Sequence, residues 1–212
     1  MNIDDLRQQL MQQGLQRKSL HTDPYRTFED WYSYAINSGV PEPTAMSLAT
    51  VDSTGQPWQR MVLLKTFDED GFVFFTNYSS RKAEHIKHNN KASLLFPWHA
   101  LGRQVKITGQ VSKISTAESL TYFATRPRGS QIGAWASPQS KVITSRALLV
   151  SKVEEMKQKF SKGEIPLPSF WGGYRVKVDT LEFWQARESR LHDQFIYQHN
   201  KDGEWNIERL AP

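Results

Sequence analysis

The sequence contains no cysteine, so a disulfide scaffold, a thiolate metal site and a cysteine nucleophile are excluded. It also has no apolar run approaching the roughly 20 residues that span a bilayer. The first residues, MNIDDLRQQLMQQG, carry early acids and lack the apolar core of a signal peptide. From these absences we expect a soluble, cytoplasmic protein with no membrane partner.

The familiar nucleotide and metal motifs are missing as well. No Gly-x-Gly-x-x-Gly follows a strand, and no phosphate loop ends in Gly-Lys-Ser or Gly-Lys-Thr. No His-Glu-x-x-His is present, and His85 and His88 stand three residues apart without a third ligand nearby in the sequence. We therefore predict neither a dinucleotide-binding parallel sheet nor a metal site.

What the sequence does contain is a good supply of aromatic and basic residues. Of its 212 residues, 38% are hydrophobic and 12% aromatic, enough to pack one domain with a small helical appendage. The formal net charge is +5, but Lys and Arg are spread along the chain, often beside Ser, Thr, Gln or Tyr. Because a nucleic-acid interface needs basic residues clustered on one face, this distribution favours small phosphorylated ligands.

Hydrophobic periodicity predicts short strands with helices at both ends and between the later strands. The predicted helices cover residues 3–13, 25–37, 81–88, 115–125 and 145–161, and the predicted strands cover 45–51, 58–65, 72–76, 92–96, 104–111, 174–184, 194–197 and 205–209. No regular alternation of strand and helix appears. The predicted fold class is therefore mainly antiparallel β, a barrel with flanking helices.

Two segments depart from simple periodicity. The helix predicted over 3–13 is weakly amphipathic and ends at Gly14, so we expect a mobile arm over residues 1–18 and a single domain over 19–212. The long strand changes the face of its apolar residues near Asp179, from Tyr174, Val176 and Val178 to Leu181 and Phe183. An inserted residue, a β-bulge, would explain that switch.

A first cationic set lies around the predicted third helix. Arg60 and Lys65 bracket an apolar run, and Ser79-Ser80-Arg81-Lys82 opens the helix. Backbone N–H groups, the helix dipole and two cations converge there, which makes a competent phosphate site. The alternative is a capped helix with exposed basic residues.

A second set follows the helix that has a Ser115–Glu118 capping box. Tyr122 and Arg126 stand four residues apart, hence on one helix face, and Ser130 comes just after. A phenol, a guanidinium and a hydroxyl can hold one phosphate dianion. A helix end with favourable arginines is the alternative.

A third set is the pair Arg190 and His192, within the stretch FWQARESRLHDQF. On a strand, residues two apart point the same way, so a cation and an imidazole would face one pocket. Alone, an Arg-x-His pair is weak support for a site.

Taken in order, these stretches resemble the pyridoxine/pyridoxamine 5′-phosphate oxidase family. The matching stretches are RMVLLK (60–65), FFTNYSSRKAEHI (74–86), SLLFPWHALGRQVKITG (93–109), YFATRPRGSQIGAWAS (122–137), PLPSFWGGYRV (166–176), FWQ (183–185), RLHD (190–193) and the terminal ERLAP. The likeness covers nearly the whole chain from about Gly14. So many ordered blocks are far more specific than any single motif.

The resemblance implies an FMN-binding split β-barrel that forms a homodimer, with two FMN sites at the subunit interface. The residues it assigns to FMN are Arg60, Met61, Val62, Leu63, Leu64, Lys65, Phe75, Thr76, Arg81, Lys82, Gln104, Gln139, Ser140, Trp184 and Gln194. Those it assigns to the substrate are Lys65, Tyr122, Arg126, Ser130, Arg190 and His192, of which Arg190 and His192 would be catalytic.

The implied reaction is the oxidation of pyridoxamine 5′-phosphate or pyridoxine 5′-phosphate by O2 to pyridoxal 5′-phosphate and H2O2. The substrate ring would stack on the flavin, which accepts a hydride from the carbon bearing the amine or alcohol. Arg190 would orient the substrate and stabilise charge, and His192 would orient it or handle a proton. The alternatives are a related split-barrel flavoprotein, such as a flavin reductase, and a small basic RNA-binding module.

Two departures from the family pattern stand out. The family usually has arginine where this chain has Gln194, so FMN binding or reactivity is expected to be weaker, and restoring arginine should tighten FMN binding. At the amino terminus, family members often place Arg and Tyr over the substrate. Aligned on Gly14, this chain offers Arg7 and Leu10, so a substrate role for the arm stays open.

Overall fold

The computed structural model describes residues 2–212. The helices are α1 (Ile3–Gln13), α2 (Pro24–Asn37), α3 (Arg81–His88), α4 (Thr116–Thr125), α5 (Arg128–Ala136) and α6 (Arg146–Lys159). The strands are β1 (Ala45–Val51), β2 (Pro57–Leu63), β3 (Thr66–Asp68), β4 (Gly71–Asn77), β5 (Lys91–Trp98), β6 (Arg103–Lys113), β7 (Trp171–Gln185), β8 (Asp193–His199) and β9 (Trp205–Leu210). None of the helices within the described residues is long and apolar enough to cross a membrane.

Local sequence signals account for most helix ends. Asp23 caps α2 by accepting from the backbone N–H of Tyr25, and the predicted Ser115–Glu118 capping box opens α4. The α1 helix ends at Gly14, whose φ of 66° suits glycine. The sequence predicted neither the short strand β3 nor helix α5, in which two glycines after Pro127 lower the helix propensity.

All strand pairings are antiparallel, in a sheet of order β2-β1-β5-β6-β7-β4-β3, with β8 and β9 continuing from β7. The long strand β7 organises this arrangement. One of its edges pairs with β6 along nearly its whole length. Its other edge is shared, since the first half pairs with β4 and the second half with β8.

The predicted bulge in β7 is confirmed. The register between β6 and β7 runs from Thr108↔Thr180 directly to Gly109↔Val178, which leaves Asp179 as the extra residue. Apolar side chains therefore point inward at Val176 and Val178 before the bulge, and at Leu181 after it.

The main core forms where α2 packs onto the sheet. Phe28 on α2 is fully buried and meets Phe72 and Phe96 edge-on, with ring centroids 4.8 and 5.0 Å away. Edge-to-face contacts of this kind add to the gain from burying apolar area. A smaller second cluster, centred on Phe123 and Trp171, lies under α4 and α5.

The amino-terminal segment packs against the domain in this structure. Leu10 and Leu15 belong to the main core, so Leu10 is not available to cover a substrate here. The backbone N–H of Leu15 donates to the Asp193 carboxylate at 2.9 Å, and the Arg187 guanidinium donates to the carbonyl of Gln12 at 3.1 Å. The mobility of residues 1–18 stays a prediction.

Candidate functional site

A cavity of about 770 Å³ opens between β2, β4, α4 and α5. Its lining includes eleven residues that the sequence singled out: Met61, Val62, Leu63, Lys65, Phe75, Thr76, Lys82, Tyr122, Arg126, Ser130 and Gln139. Lys65 and Lys82 of the first cationic set therefore open onto the same space as the second set. That is the arrangement which two phosphorylated ligands in contact would require.

Lys82 lies buried at one side of this cavity. Its Nζ donates to Thr76 Oγ1 at 2.9 Å and to Gln139 Oε1 at 3.1 Å, and it also approaches Ser80 Oγ at 3.4 Å. Burial, and secondarily the positive charge of Arg60, lower the pKa of Lys82 to about 8. All three partners are neutral, so the ammonium has no counter-ion among these contacts.

The predicted capping of α3 by a serine side chain is not seen, although the helix starts where expected. Ser80 occupies the N-cap position, but its side chain makes no capping hydrogen bond. The Ser80 hydroxyl is instead within reach of Lys82 Nζ. The opening of α3 thus contributes a polar lining around a buried cation.

Arg126 also lines the cavity. It is the C-cap of α4 rather than a residue within the helix, and its guanidinium lies over the Trp171 ring, 4.6 Å from the centroid. Its buried Nη1 has no hydrogen-bond partner among the described residues. A buried guanidinium nitrogen without an acceptor is well suited to an anion.

Stacked aromatic rings form part of the cavity wall. Phe75 stacks on Tyr122 with centroids 3.9 Å apart and on Trp171 with centroids 5.3 Å apart. Sequence reasoning did not select Trp171 as a lining residue, although the resemblance included it in PLPSFWGGYRV. The other lining residues it missed are Asn77, Thr125, Pro127, Gly133, Ala134 and Ser137, several of which belong to the unpredicted helix α5 or its ends.

Four residues assigned to FMN lie near this cavity without lining it. Arg60 donates to the Leu48 carbonyl at 3.0 Å and to Thr50 Oγ1 at 2.7 Å. The other three are Leu64, which is in the core, Arg81, whose guanidinium lies 4.5 Å from the Trp58 centroid, and Ser140, which follows Gln139 with a φ of 68°.

The remaining predicted site residues form a separate group on the β6-β7-β8 part of the sheet. Gln104 pairs with Trp184, and Trp184 pairs with Gln194, so the three stand in one row across three strands. The His192 ring lies against Trp184, with centroids 4.5 Å apart. We call Gln104, Trp184 and Gln194 the cross-strand row.

Arg190 and His192 do not lie on a strand, so the argument that residues two apart point the same way does not apply to them. Arg190 ends a short 3₁₀ segment, Glu188–Arg190, and His192 precedes β8. Both Ser189 and Arg190 have positive φ, 54° and 61°, so the chain turns sharply just before His192. Arg190 is exposed, and within residues 2–212 neither it nor His192 lines the cavity.

The sequence analysis weighed His85 and His88 as metal ligands and predicted no metal site there. His85 is buried and its Nδ1 lies 3.0 Å from Thr50 Oγ1, a core contact. Among residues 2–212 no three His, Asp or Glu side chains come together as ligands for a metal ion.

Comparison with known proteins decides the family. Residues 33–160 match the family model for "Pyridoxamine 5′-phosphate oxidase", and residues 171–212 match the "Pyridoxine 5′-phosphate oxidase C-terminal dimerisation region". The chain belongs to the pyridoxamine 5′-phosphate oxidase family. Its antiparallel sheet, flanked by six helices within residues 2–212, is the split-barrel fold of that family.

Several members of this family are similar over their whole length. The pyridoxine/pyridoxamine 5′-phosphate oxidases of Photobacterium profundum and Teredinibacter turnerae are 54% and 58% identical, with full coverage of both chains. The enzyme of Proteus mirabilis is 56% identical over 100% of this chain and 97% of its own. These relatives favour the oxidase family over the flavin reductase and RNA-binding alternatives.

Solved structures agree on the fold. PhzG from Burkholderia lata 383, in complex with tetrahydrophenazine-1-carboxylic acid, superposes with a TM-score of 0.86 at 28% identity, covering 92% of this chain and 95% of its own. A pyridoxamine 5′-phosphate oxidase-related, FMN binding protein from Nostoc punctiforme PCC 73102 reaches a TM-score of 0.71 at 18% identity, covering 91% and 100%. At that identity the second likeness concerns the fold alone.

Proposed function

We propose that this chain is an FMN-dependent oxidase of pyridoxamine 5′-phosphate and pyridoxine 5′-phosphate. The amine, O2 and water would give pyridoxal 5′-phosphate, ammonia and H2O2, and the alcohol and O2 would give pyridoxal 5′-phosphate and H2O2. The observation that carries the proposal is the single cavity into which both Lys82 and Arg126 open. Two separated cations in one cleft suit a phosphorylated cofactor and a phosphorylated substrate.

The residues present fit FMN and its substrate. The cavity is large enough for aromatic ligands, and its wall of Phe75, Tyr122 and Trp171 offers ring faces. The buried Arg126 Nη1 lacks an acceptor that a phosphate oxygen would provide. Lys82, Thr76, Gln139 and the 61–63 backbone would hold FMN, and Arg126, Tyr122, Ser130 and Lys65 would hold the substrate phosphate.

A homodimer is part of the proposal. The cross-strand row, with His192 beside it, does not line the cavity of its own chain, so a second copy is the natural source of these groups for that cavity. Residues 171–212, which contain Trp184, His192 and Gln194, match the family's dimerisation region. At the cavity rim Met61 is 57% exposed and Leu63 39% exposed, as expected for apolar residues that a partner covers.

The side chains of this protein would act mainly by positioning and electrostatics. Bound FMN would supply the acceptor for the hydride that leaves the substrate carbon. Arg126 would neutralise the substrate phosphate, and the aromatic wall would exclude water from the rings. Arg190, exposed on a short turn, would orient the substrate and stabilise charge that develops on it. His192, held against Trp184, would donate a hydrogen bond or pass on a proton.

Purification and an oxygen assay test the proposal. The protein should be yellow and release FMN on denaturation, and each pyridoxal 5′-phosphate formed should be matched by one O2 consumed and one H2O2 produced. A colourless protein that fails to take up added FMN would contradict the cofactor assignment. A flavoprotein that oxidises reduced nicotinamide but neither 5′-phosphate would indicate the flavin reductase instead.

A further inference from the structure

Glu182 joins two side chains from neighbouring strands. Its Oε2 lies 2.7 Å from Lys106 Nζ, and its Oε1 accepts a hydrogen bond from Gln194 Nε2 at 2.7 Å. The Glu182 side chain is only 12% exposed, whereas the Lys106 side chain is 47% exposed. A poorly solvated carboxylate is thus held between a lysine on β6 and a glutamine on β8.

These contacts lie directly beside the cross-strand row. Lys106 pairs with Glu182 and Glu182 with Ile196, two residues along each strand from the row. Residues two apart on a strand point to the same face. Lys106 and Glu182 therefore share the face of the sheet that carries Gln104, Trp184 and Gln194.

The contact with Glu182 also orients the amide of Gln194. A carboxylate accepts hydrogen bonds and cannot donate them, so the Gln194 amide must turn its NH2 group toward Glu182. Its carbonyl oxygen and its second N–H are then the groups left for a ligand. Gln194 consequently brings no positive charge, and one of its two amide donors is already used by Glu182.

Charge balance explains what Lys106 does. An arginine at position 194 would neutralise Glu182, but a glutamine leaves the carboxylate uncompensated beside the row. Lys106 supplies the missing positive charge from the adjacent strand. A negative charge near a flavin disfavours the added electron density of the reduced form and repels the phosphorylated cofactor.

We propose that Lys106 and Glu182 are positioning residues that set the charge on the FMN side of this site, with Lys106 replacing the charge that the family's arginine would bring at position 194. The proposal rests on the proposed FMN site. It assigns to two residues outside the predicted set a role in cofactor affinity and redox potential rather than in catalysis.

FMN titration and potentiometry of the full-length protein test this role. Lys106→Met should weaken FMN binding by about fivefold, the upper range for a partly exposed ion pair, and should shift the flavin midpoint potential to a more negative value. Adding Glu182→Gln should restore both, because the carboxylate that needed balancing is gone. Lys177→Met, at an exposed position on neighbouring β7, is the matched control and should change neither.

A second test repeats the Lys106→Met substitution in a Gln194→Arg protein. Lys106→Met should cost less FMN affinity in a Gln194→Arg protein than in the native one, because arginine then balances Glu182. Equal losses in both backgrounds would overturn the proposal, as would unchanged affinity and potential in Lys106→Met. A native protein that binds no FMN would instead refute the proposed function, so the two failures are distinguishable. Thermal unfolding of each variant identifies any loss that arises from misfolding.

Discussion

The backbone N–H of Arg187 donates a hydrogen bond to Nδ1 of His192 at 3.1 Å. Because Nδ1 accepts, the neutral imidazole carries its proton on Nε2. The ring, packed against Trp184, therefore presents a donor and not a free basic nitrogen. This geometry favours a His192 that orients the substrate by donating a hydrogen bond.

That tautomer predicts unequal effects of two amide substitutions at this position. His192→Gln can place an N–H near the position of Nε2, whereas the shorter His192→Asn cannot. We expect kcat to fall by about tenfold more in the asparagine variant, the typical range for a hydrogen bond to a reacting substrate. Steady-state kinetics would check this, and equal losses would argue for a proton-transfer role.

Lys82 predicts a pH dependence of FMN binding. Its pKa is lowered to about 8, so without a bound anion the ammonium loses its proton as the pH rises through 8. The folded chain then holds fewer protons than the unfolded chain between pH 8 and the ordinary lysine pKa, and this group's contribution to stability rises with pH there. FMN affinity should show the opposite trend and fall above pH 8, because phosphate needs the charged form.

The Lys82→Met variant separates this effect from other titrations. FMN affinity should drop by about 10- to 100-fold near neutral pH, the range for a charge-assisted hydrogen bond. The decline above pH 8 should also disappear from fluorescence titrations. A decline that persists in the variant would assign the pH dependence to another group.

Arg126 predicts a phosphate-specific loss. Arg126→Met should raise KM for pyridoxamine 5′-phosphate by about 100-fold, since a buried charge partner for the phosphate is removed, while FMN remains bound. Activity with unphosphorylated pyridoxamine, however low, should stay unchanged and serves as the control. Equal losses with both substrates would place Arg126 outside the phosphate site.

Arg190 predicts a loss of turnover without loss of cofactor. Arg190→Met should cut kcat by about 100-fold or more, the range for removing one stabilising charge from the reacting centre, with FMN content unchanged. Methionine also carries a Cβ, so the positive φ at this position is equally unfavourable in both proteins. Unchanged turnover would count against a catalytic role for this side chain.

Most of the secondary structure was predictable because its signals are local. The 81–88 helix, the capping box at Ser115 and the bulge at Asp179 all follow from spacing or periodicity within a few residues. Helix α5 escaped because its glycines and the preceding proline are typical of a loop. Contacts with residues distant in the sequence stabilise it instead, such as the hydrogen bond that Trp135 Nε1 donates to the Pro166 carbonyl at 2.8 Å.

Only some of the cavity residues were predictable from the sequence. Spacing placed Tyr122 and Arg126 together, but nothing local to Trp171 indicates that its ring lies under the Arg126 guanidinium. That contact joins α4 to the start of β7, far apart in sequence. The turn at Arg190 was not predicted either, because serine and arginine seldom adopt the positive φ that Ser189 and Arg190 have here.

The bulge at Asp179 changes which residues of β7 face the core. Upstream of it, even-numbered residues such as Val176 face inward, and downstream the odd-numbered Leu181 and Phe183 do. If one residue were deleted there, every side chain in the downstream half of β7 would point to the opposite face of the sheet. Glu182 and Trp184 would then face the core, and Leu181 and Phe183 would face away from it. The inserted aspartate thus determines that the Trp184 indole and the Glu182 carboxylate lie on the face of the strand that points away from the core.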